Sequence, residues 1–325
     1  MSAFGLQSHI WNNNLKSILL LAGFPLLLLI LMYGLCVGYV GLSDDIRSPE
    51  EGLIVAFELM GRVWPLAFMA AGAWFLIAWL LNQKIVKASV GAKGLTRREA
   101  PEIYNMLENL CLSRGLTMPK LNIIESAALN AFASGVSEAS YTITLTRGLI
   151  DTLDDDELEA VLAHELTHIM NKDVRLLIVA VIFVGIFSFF AEILFDGLFR
   201  TGVRVGGHTR SRNGDSRGGG ILIIVAIALI ILAYVLAIAI RFALSRKREF
   251  LADAGAVELT KNPDAMISAL RKISGRSEVD APADVRQMMV VNAKPFAGVF
   301  MTHPSIEKRI EALVDFGAGA PGALQ

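Results

Sequence analysis

Ala163-His164-Glu165-Leu166-Thr167-His168-Ile169 closes a run that is acidic from Asp154 to Glu159 and apolar beyond it. On an α-helix, residues four apart share a face, so His164 and His168 can present two imidazole nitrogens to one metal ion. Glu165 is one position on from His164, which lets its carboxylate reach a water beside the ion rather than the ion itself. The plainer alternative is a helix carrying two histidines and a solvated glutamate. Neutral imidazoles four apart have few frequent uses other than metal binding, which favours the first reading. Asp154 with Glu157 three residues on has the form of a capping box, and the acidic cluster suits a helix N-terminus. Leu158, Val161, Leu162, Leu166 and Ile169 supply the apolar face of the same helix.

The 325 residues are 54% hydrophobic and only 19% charged, with a mean hydropathy of +0.53. That is too apolar for an ordinary soluble domain and calls for membrane spans. A net charge of -1 implies no general attraction to nucleic acid. Cys36 and Cys111 are the only cysteines, one in an apolar run and one in a polar segment, so no disulfide framework is expected. Any bound zinc must then be held by histidine and carboxylate rather than thiolate.

Four apolar stretches are long enough to cross a bilayer: about 15–42, broken by Gly23 and Pro25, then 63–81, 174–199 and 221–242. The first is too long for a signal-peptide core and is read as a retained span. Trp64 and Trp79 stand at the ends of the second like interfacial anchors. The loop Ser43 to Arg62 is mostly acidic, whereas Lys84, Lys87, Lys93, Arg97 and Arg98 follow Leu81. This asymmetry places the segment after Leu81 on the cytoplasmic side. One stretch runs against the trend: Arg200 to Arg217 holds five arginines, yet a four-span path sends it outside. A re-entrant hairpin is the alternative there.

Between the hairpins the chain changes character. Arg98 to Leu116 has helical spacing ending at Gly115, while Lys120–Glu125 and Tyr141–Thr146 alternate as strands. Asn130-Ala131-Phe132-Ala133 reads as a third short strand, with Gly135 turning the chain. Beyond the fourth span, Ser245–Leu259, Pro263–Gly275 and Ser305–Val314 read as helices and Ser277–Thr302 as a loop. The chain thus divides into an N-terminal membrane hairpin (1–82), a polar α+β part with a small sheet and the histidine helix (83–173), a second hairpin (174–243) and a C-terminal part (244–325).

A catalytic zinc needs at least one further protein ligand. His168 lies six residues before Val174 and Glu249 seven residues after Phe242. If the spans between them form a hairpin, both arrive on the same side at nearly the same height. In Glu249-Phe250-Leu251-Ala252-Asp253 the two acids share a helical face, so Glu249 can bind the ion while Asp253 accepts a hydrogen bond from a ligating imidazole. The alternative for Glu249 is a charge partner for Arg246 or Arg248.

These residues carry a resemblance. His164-Glu-Leu-Thr-His168, Glu249-Phe-Leu-Ala-Asp253, Asn130-Ala-Phe-Ala133 before them and His303-Pro304 after them together resemble the HtpX-like membrane zinc metalloproteases, relatives of the CAAX prenyl proteases. The match covers the chain from the first span to the His-Pro segment. It implies a four-span α-helical membrane protein with a cytoplasmic, zincin-type α+β protease domain in the bacterial inner membrane. It also implies one zinc ion per subunit on His164, His168 and Glu249, with Glu165 as catalytic base. The implied activity is endoproteolysis of misfolded or unfolded membrane-protein segments at the cytoplasmic face in stress-linked quality control, open to cooperation with other such proteases.

Asn130, Ala131 and Phe132 resemble the family's edge strand, along which a substrate backbone could add as an extra strand; the plain alternative is an ordinary sheet edge. His303 could hold the developing oxyanion, with Arg309 a weaker rival for that task. Asn171 and Asp173 are expected to cap or brace the end of the histidine helix, Asn171 also being placed to support a ligand. Two other functions compete: a non-catalytic membrane protein with a structural zinc, and a prenyl-protein protease. An intact Glu165 and only three protein ligands speak against the first.

Overall fold

The computed structural model describes residues 22–43, 46, 48–200, 217–274, 276 and 304–317. These fall into two compact units, one drawn from 79–179 and 242–317, the other from 22–78 and 180–241. Four helices among the described residues are long and apolar enough to cross a membrane: Gly23–Gly41, Pro49–Leu81, Asp173–Phe190 and Gly219–Ile240.

Helix α1 (Gly23–Gly41) starts where a break was expected. Pro25 falls in its first described turn, and the part of the expected 15–42 span before residue 22 lies outside the described residues. Helix α2 (Pro49–Ser89) corrects the reading of 43–62 as a loop, since it is already helical at Pro49. Proline at the start, Glu50 and Glu51 in the first turn and Ser48 Oγ accepting from the Glu51 N–H at 3.2 Å together make a strong N-terminus. Acidic residues mark where hydrocarbon ends, not where a helix does.

Helices α6 (Asp173–Arg200) and α7 (Arg217–Thr260) complete the long elements. Within the second unit, α1 and α7 run antiparallel. A Cβ on Gly34 would meet Ile230 at 3.0 Å, one on Gly38 Ala226 at 3.4 Å and one on Gly41 Leu222 at 3.0 Å. Small residues at that spacing let two backbones approach closely, as packing without a water-driven force between helices requires. Phe24 stacks on Phe183 at 4.7 Å in the same unit.

The other unit is built on a four-stranded sheet: β1 (Lys93–Gly94), β2 (Lys120–Ile124), β3 (Ala131–Ser134) and β4 (Thr142–Thr146), in the order β1-β2-β4-β3. β2 and β4 are parallel, Leu121 opposite Ile143; β3 is antiparallel to β4, Ala133 opposite Ile143, and forms an edge. Gly135, at φ +113, turns the chain out of β3, and a Cβ there would lie 2.6 Å from the Ser140 carbonyl oxygen. The two-residue β1 and the short helix α4 (Arg147–Thr152) were not legible as elements, being too short to show a period.

Helix α3 (Pro101–Arg114) ends on Gly115 in the left-handed region, as its glycine suggested. Helix α5 (Asp155–Met170) carries the histidines and has the full capping box: Asp154 Oδ1 accepts from Glu157 N–H, and Glu157 Oε2 from Asp154 N–H, each at 3.0 Å. Helices α8 (Pro263–Ile273) and α9 (Ile306–Gly317) pack with α5 and α7 through Ala160, Val257, Met266, Leu270 and Leu313. Residues 277–302, read as a loop, lie outside the described residues.

Candidate metal centre

Each half of the centre begins with a helix contact. A Cβ at Gly255 would lie 2.4 Å from Thr167 Cγ2, so α7 crosses α5 at van der Waals distance one position from His168. That approach brings Glu249, two turns earlier on α7, over the histidine face of α5. His164 is wholly buried, Glu165 1% exposed and Glu249 4% exposed.

The donors converge. His164 Nε2 and His168 Nε2 are 3.2 Å apart, Glu249 Oε1 is 3.5 Å from His168 Nε2 and Glu249 Oε2 is 3.8 Å from His164 Nε2. Ligands at about 2.1 Å in tetrahedral array stand about 3.4 Å apart, close to these separations. The opposite ring nitrogens face carboxylates. His164 Nδ1 is 2.9 Å from Asp253 Oδ1, and His168 Nδ1 is 2.9 Å from Asp173 Oδ2. A carboxylate on Nδ1 holds the proton there and leaves Nε2 as the lone-pair donor, the tautomer a metal requires.

Behind each carboxylate stands a guanidinium. Arg309 on α9 is 1% exposed and grips Asp253 with two bonds, Nε to Oδ2 at 2.8 Å and Nη2 to Oδ1 at 2.6 Å. Its Nη1 lies 3.5 Å from Glu249 Oε2. Arg248 pairs with Asp173 Oδ1 through Nη1. Burial alone would raise Asp253, but Arg309 beside it holds its carboxyl well below the usual carboxylate range. Burial pushes the His164 imidazole down, against the pull of Asp253, so it stays neutral.

The charge balance tests whether a cation fits. Glu165, Glu249, Asp253 and Asp173 are buried together with Arg248 and Arg309, a formal surplus of two negative charges. Burial and then the neighbouring Glu249 carboxylate push Glu165 up to about 8. Two imidazoles, a carboxylate and that surplus suit a divalent ion. His164, His168 and Glu249 also form the one set of ligand-type side chains among the described residues whose donor atoms all lie within 4.8 Å of one another.

Other residues singled out in the sequence fall as follows. Asn130 is 1% exposed beside β3, and its Oδ1 accepts from the Ala131 N–H at 3.0 Å. The backbone of Ala133 faces Glu165, its N–H bonding the carboxylate. Phe132 belongs to a core cluster with Val86, Val90, Ala92 and Ile124, so its side chain packs away from the donors. Asn171 forms the C-cap of α5, its N–H bonded to Thr167 O at 2.9 Å, and its buried Nδ2 has no partner among the described residues. His303 lies outside the described residues. Asp173, expected to brace the end of the histidine helix, does so through His168, but its pairing with Arg248 was missed.

Fold and site define a helical membrane protein with a HExxH-type centre. The model of peptidase family M48 matches residues 97–316. Protease HtpX homologs are similar over nearly the whole chain. The one from Bacteroides fragilis strain YCH46 is 43% identical, with 97% of this chain and 100% of that protein covered. The one from Listeria monocytogenes serotype 4a strain HCC23 is 36% identical, with 93% and 96% covered. The crystal structure of S. mikatae Ste24p aligns with 94% of this chain and 67% of its own at 20% identity, with a TM-score of 0.46. The chain belongs to peptidase family M48, and the resemblance read from its motifs holds.

Proposed function

We propose that the protein is a zinc-dependent endopeptidase of the bacterial inner membrane that cuts misfolded or unfolded membrane-protein segments at the cytoplasmic surface, as part of quality control under stress. The observation that carries this reading is the convergence of His164, His168 and Glu249 with Glu165 buried beside them. A zinc ion held by those three ligands supplies Lewis acidity, polarising a scissile carbonyl and acidifying water.

The chain supplies the rest. Glu165, next to His164 on α5, takes the proton of the attacking water and passes it to the leaving amine. The β3 edge, reached from α5 by the Glu165–Ala133 contact, is the element along which an extended substrate backbone would lie, beside Asn130 and Ala131. His303 is the proposed oxyanion partner, with Arg309, held by Asp253 through Nε and Nη2, as its rival for that task. The placement near the bilayer rests on chain continuity: α5 gives way to the apolar α6 within three residues, and Glu249 follows Ile240 on one unbroken helix.

The test is Glu165→Gln in detergent-purified protein given an unfolded protein substrate. Cleavage should fall by roughly 10²- to 10⁴-fold while bound zinc stays at the wild-type level, and a chelator should abolish the wild-type activity. Full activity in Glu165→Gln would overturn the assignment.

A further inference from the structure

We propose that Asp173 is the positioning residue of the metal centre: one carboxylate that orients His168 and, through Arg248, sets the rotation of the helix presenting Glu249. The inference rests on the metal-site reading above.

Both oxygens of Asp173 are engaged, Oδ2 with His168 Nδ1 at 2.9 Å and Oδ1 with the Arg248 guanidinium. Asp173 and Arg248 are each 5% exposed, so neither charge is satisfied by solvent. The way the chain delivers Asp173 is unusual. After α5 ends, Lys172 adopts a φ of 59° and α6 begins at the next residue. A non-glycine side chain in the left-handed region carries a steric cost, tolerated where surrounding contacts over-determine it. Here it folds the first residue of α6 back onto a histidine five positions earlier.

Arg248 is the immediate neighbour of Glu249 on α7, so whatever fixes its azimuth fixes that of Glu249. The carboxylate of Asp173 therefore touches one ligand directly and the other through one backbone step. The Asp253–Arg309 pair does the corresponding work for His164, with Arg309 also 3.5 Å from Glu249. The two pairs differ in origin. Asp253 and Arg309 come from α7 and α9, whereas Asp173 and Arg248 stand on the two helices that continue into apolar spans. Asp173 and Arg248 thereby tie the ligand geometry to the roots of those spans.

The experiment measures Zn2+ affinity by competition with a chromophoric chelator, and thermal unfolding with and without metal, on the full chain in detergent. Asp173→Asn keeps the shape but removes the charge. It should weaken Zn2+ binding roughly 10- to 100-fold, the usual cost of losing a partner of a ligating histidine. Because that variant also strands a buried guanidinium, Asp173→Asn combined with Arg248→Gln is the second arm. The double variant should regain the unfolding temperature of the metal-free protein without regaining Zn2+ affinity. A merely structural brace would lower the unfolding temperature of both forms alike and leave the Zn2+ dissociation constant unchanged. Wild-type affinity in either variant overturns the proposal. His168→Ala is the control: if it too binds Zn2+ like wild type, the metal-site reading itself has failed and this inference falls with it.

Discussion

Arg309 shows what a single side chain does here. It is the largest fully buried side chain among the described residues, and its guanidinium is held by Asp253 in the bidentate geometry that only arginine offers. Arg309→Met should destabilise the protein by about 3–5 kcal/mol, because Asp253 would be left buried without a counter-charge. Arg309→Lys should recover little of that loss, since an ammonium cannot replace the fork; chemical denaturation in detergent would measure both. Glu157 is a further buried acid, away from the centre. Burial pushes its carboxyl up, but Lys272, Ser268 and the Asp154 N–H more than offset this and hold it below its ordinary value of 4.5. A carboxylate lowered in the native state stabilises fully above its unfolded pKa and ceases to do so as pH falls through the native one. Glu157→Gln should therefore be less stable than wild type at about pH 7, and the gap should close as pH drops below 4.5. A gap that stays constant across that range would refute the coupling.

At the scale of elements, the centre depends on how closely α7 approaches α5. Gly255 is the contact point, and the atom a new Cβ would strike is the γ-methyl of Thr167, a buried β-branched side chain with little room to yield. Gly255→Ala should cost about 1–3 kcal/mol as overpacking and weaken zinc retention, because the shift is passed along α7 to Glu249. Thr167→Ser removes that methyl and should recover part of both losses in the double variant. The sequence marks both helices well. Capping at Asp154 and the apolar spacing of α5 are local signals, and the contact between Gly255 and Thr167 is not. Gly255 in the chain looks like any small residue in an alanine-rich helix.

At the scale of the molecule, the buried surplus of negative charge would make the proposed metal part of the folded state. Removing it should lower the unfolding temperature of the wild-type protein, since a ligand present at a thousand times its Kd stabilises by about 4 kcal/mol. The same chelator should have little effect on the unfolding of Glu249→Ala, which lacks a ligand; differential scanning fluorimetry in detergent would compare them. An equal drop in both proteins would place the chelator's action elsewhere.

Local order and hydropathy were enough to determine the class of the protein. The spacing of His164, Glu165 and His168 is a helical period, and crossing a bilayer requires only length and apolarity, so neither depends on distant contacts. Even Glu249 could be found, because a hairpin of two spans makes its distance from His168 along the chain irrelevant. The helical start at Pro49 was hidden because charge patterning reports where water begins and not where helices begin. Asp253 could be read as the partner of a ligating imidazole from the helical face it shares with Glu249, and the structure has it there, 2.9 Å from His164 Nδ1. Only the tertiary structure decided that Arg309 and Arg248 stand behind the two carboxylates, because the choice among partners for a buried charge is made by the electrostatics of desolvation after the helices have met.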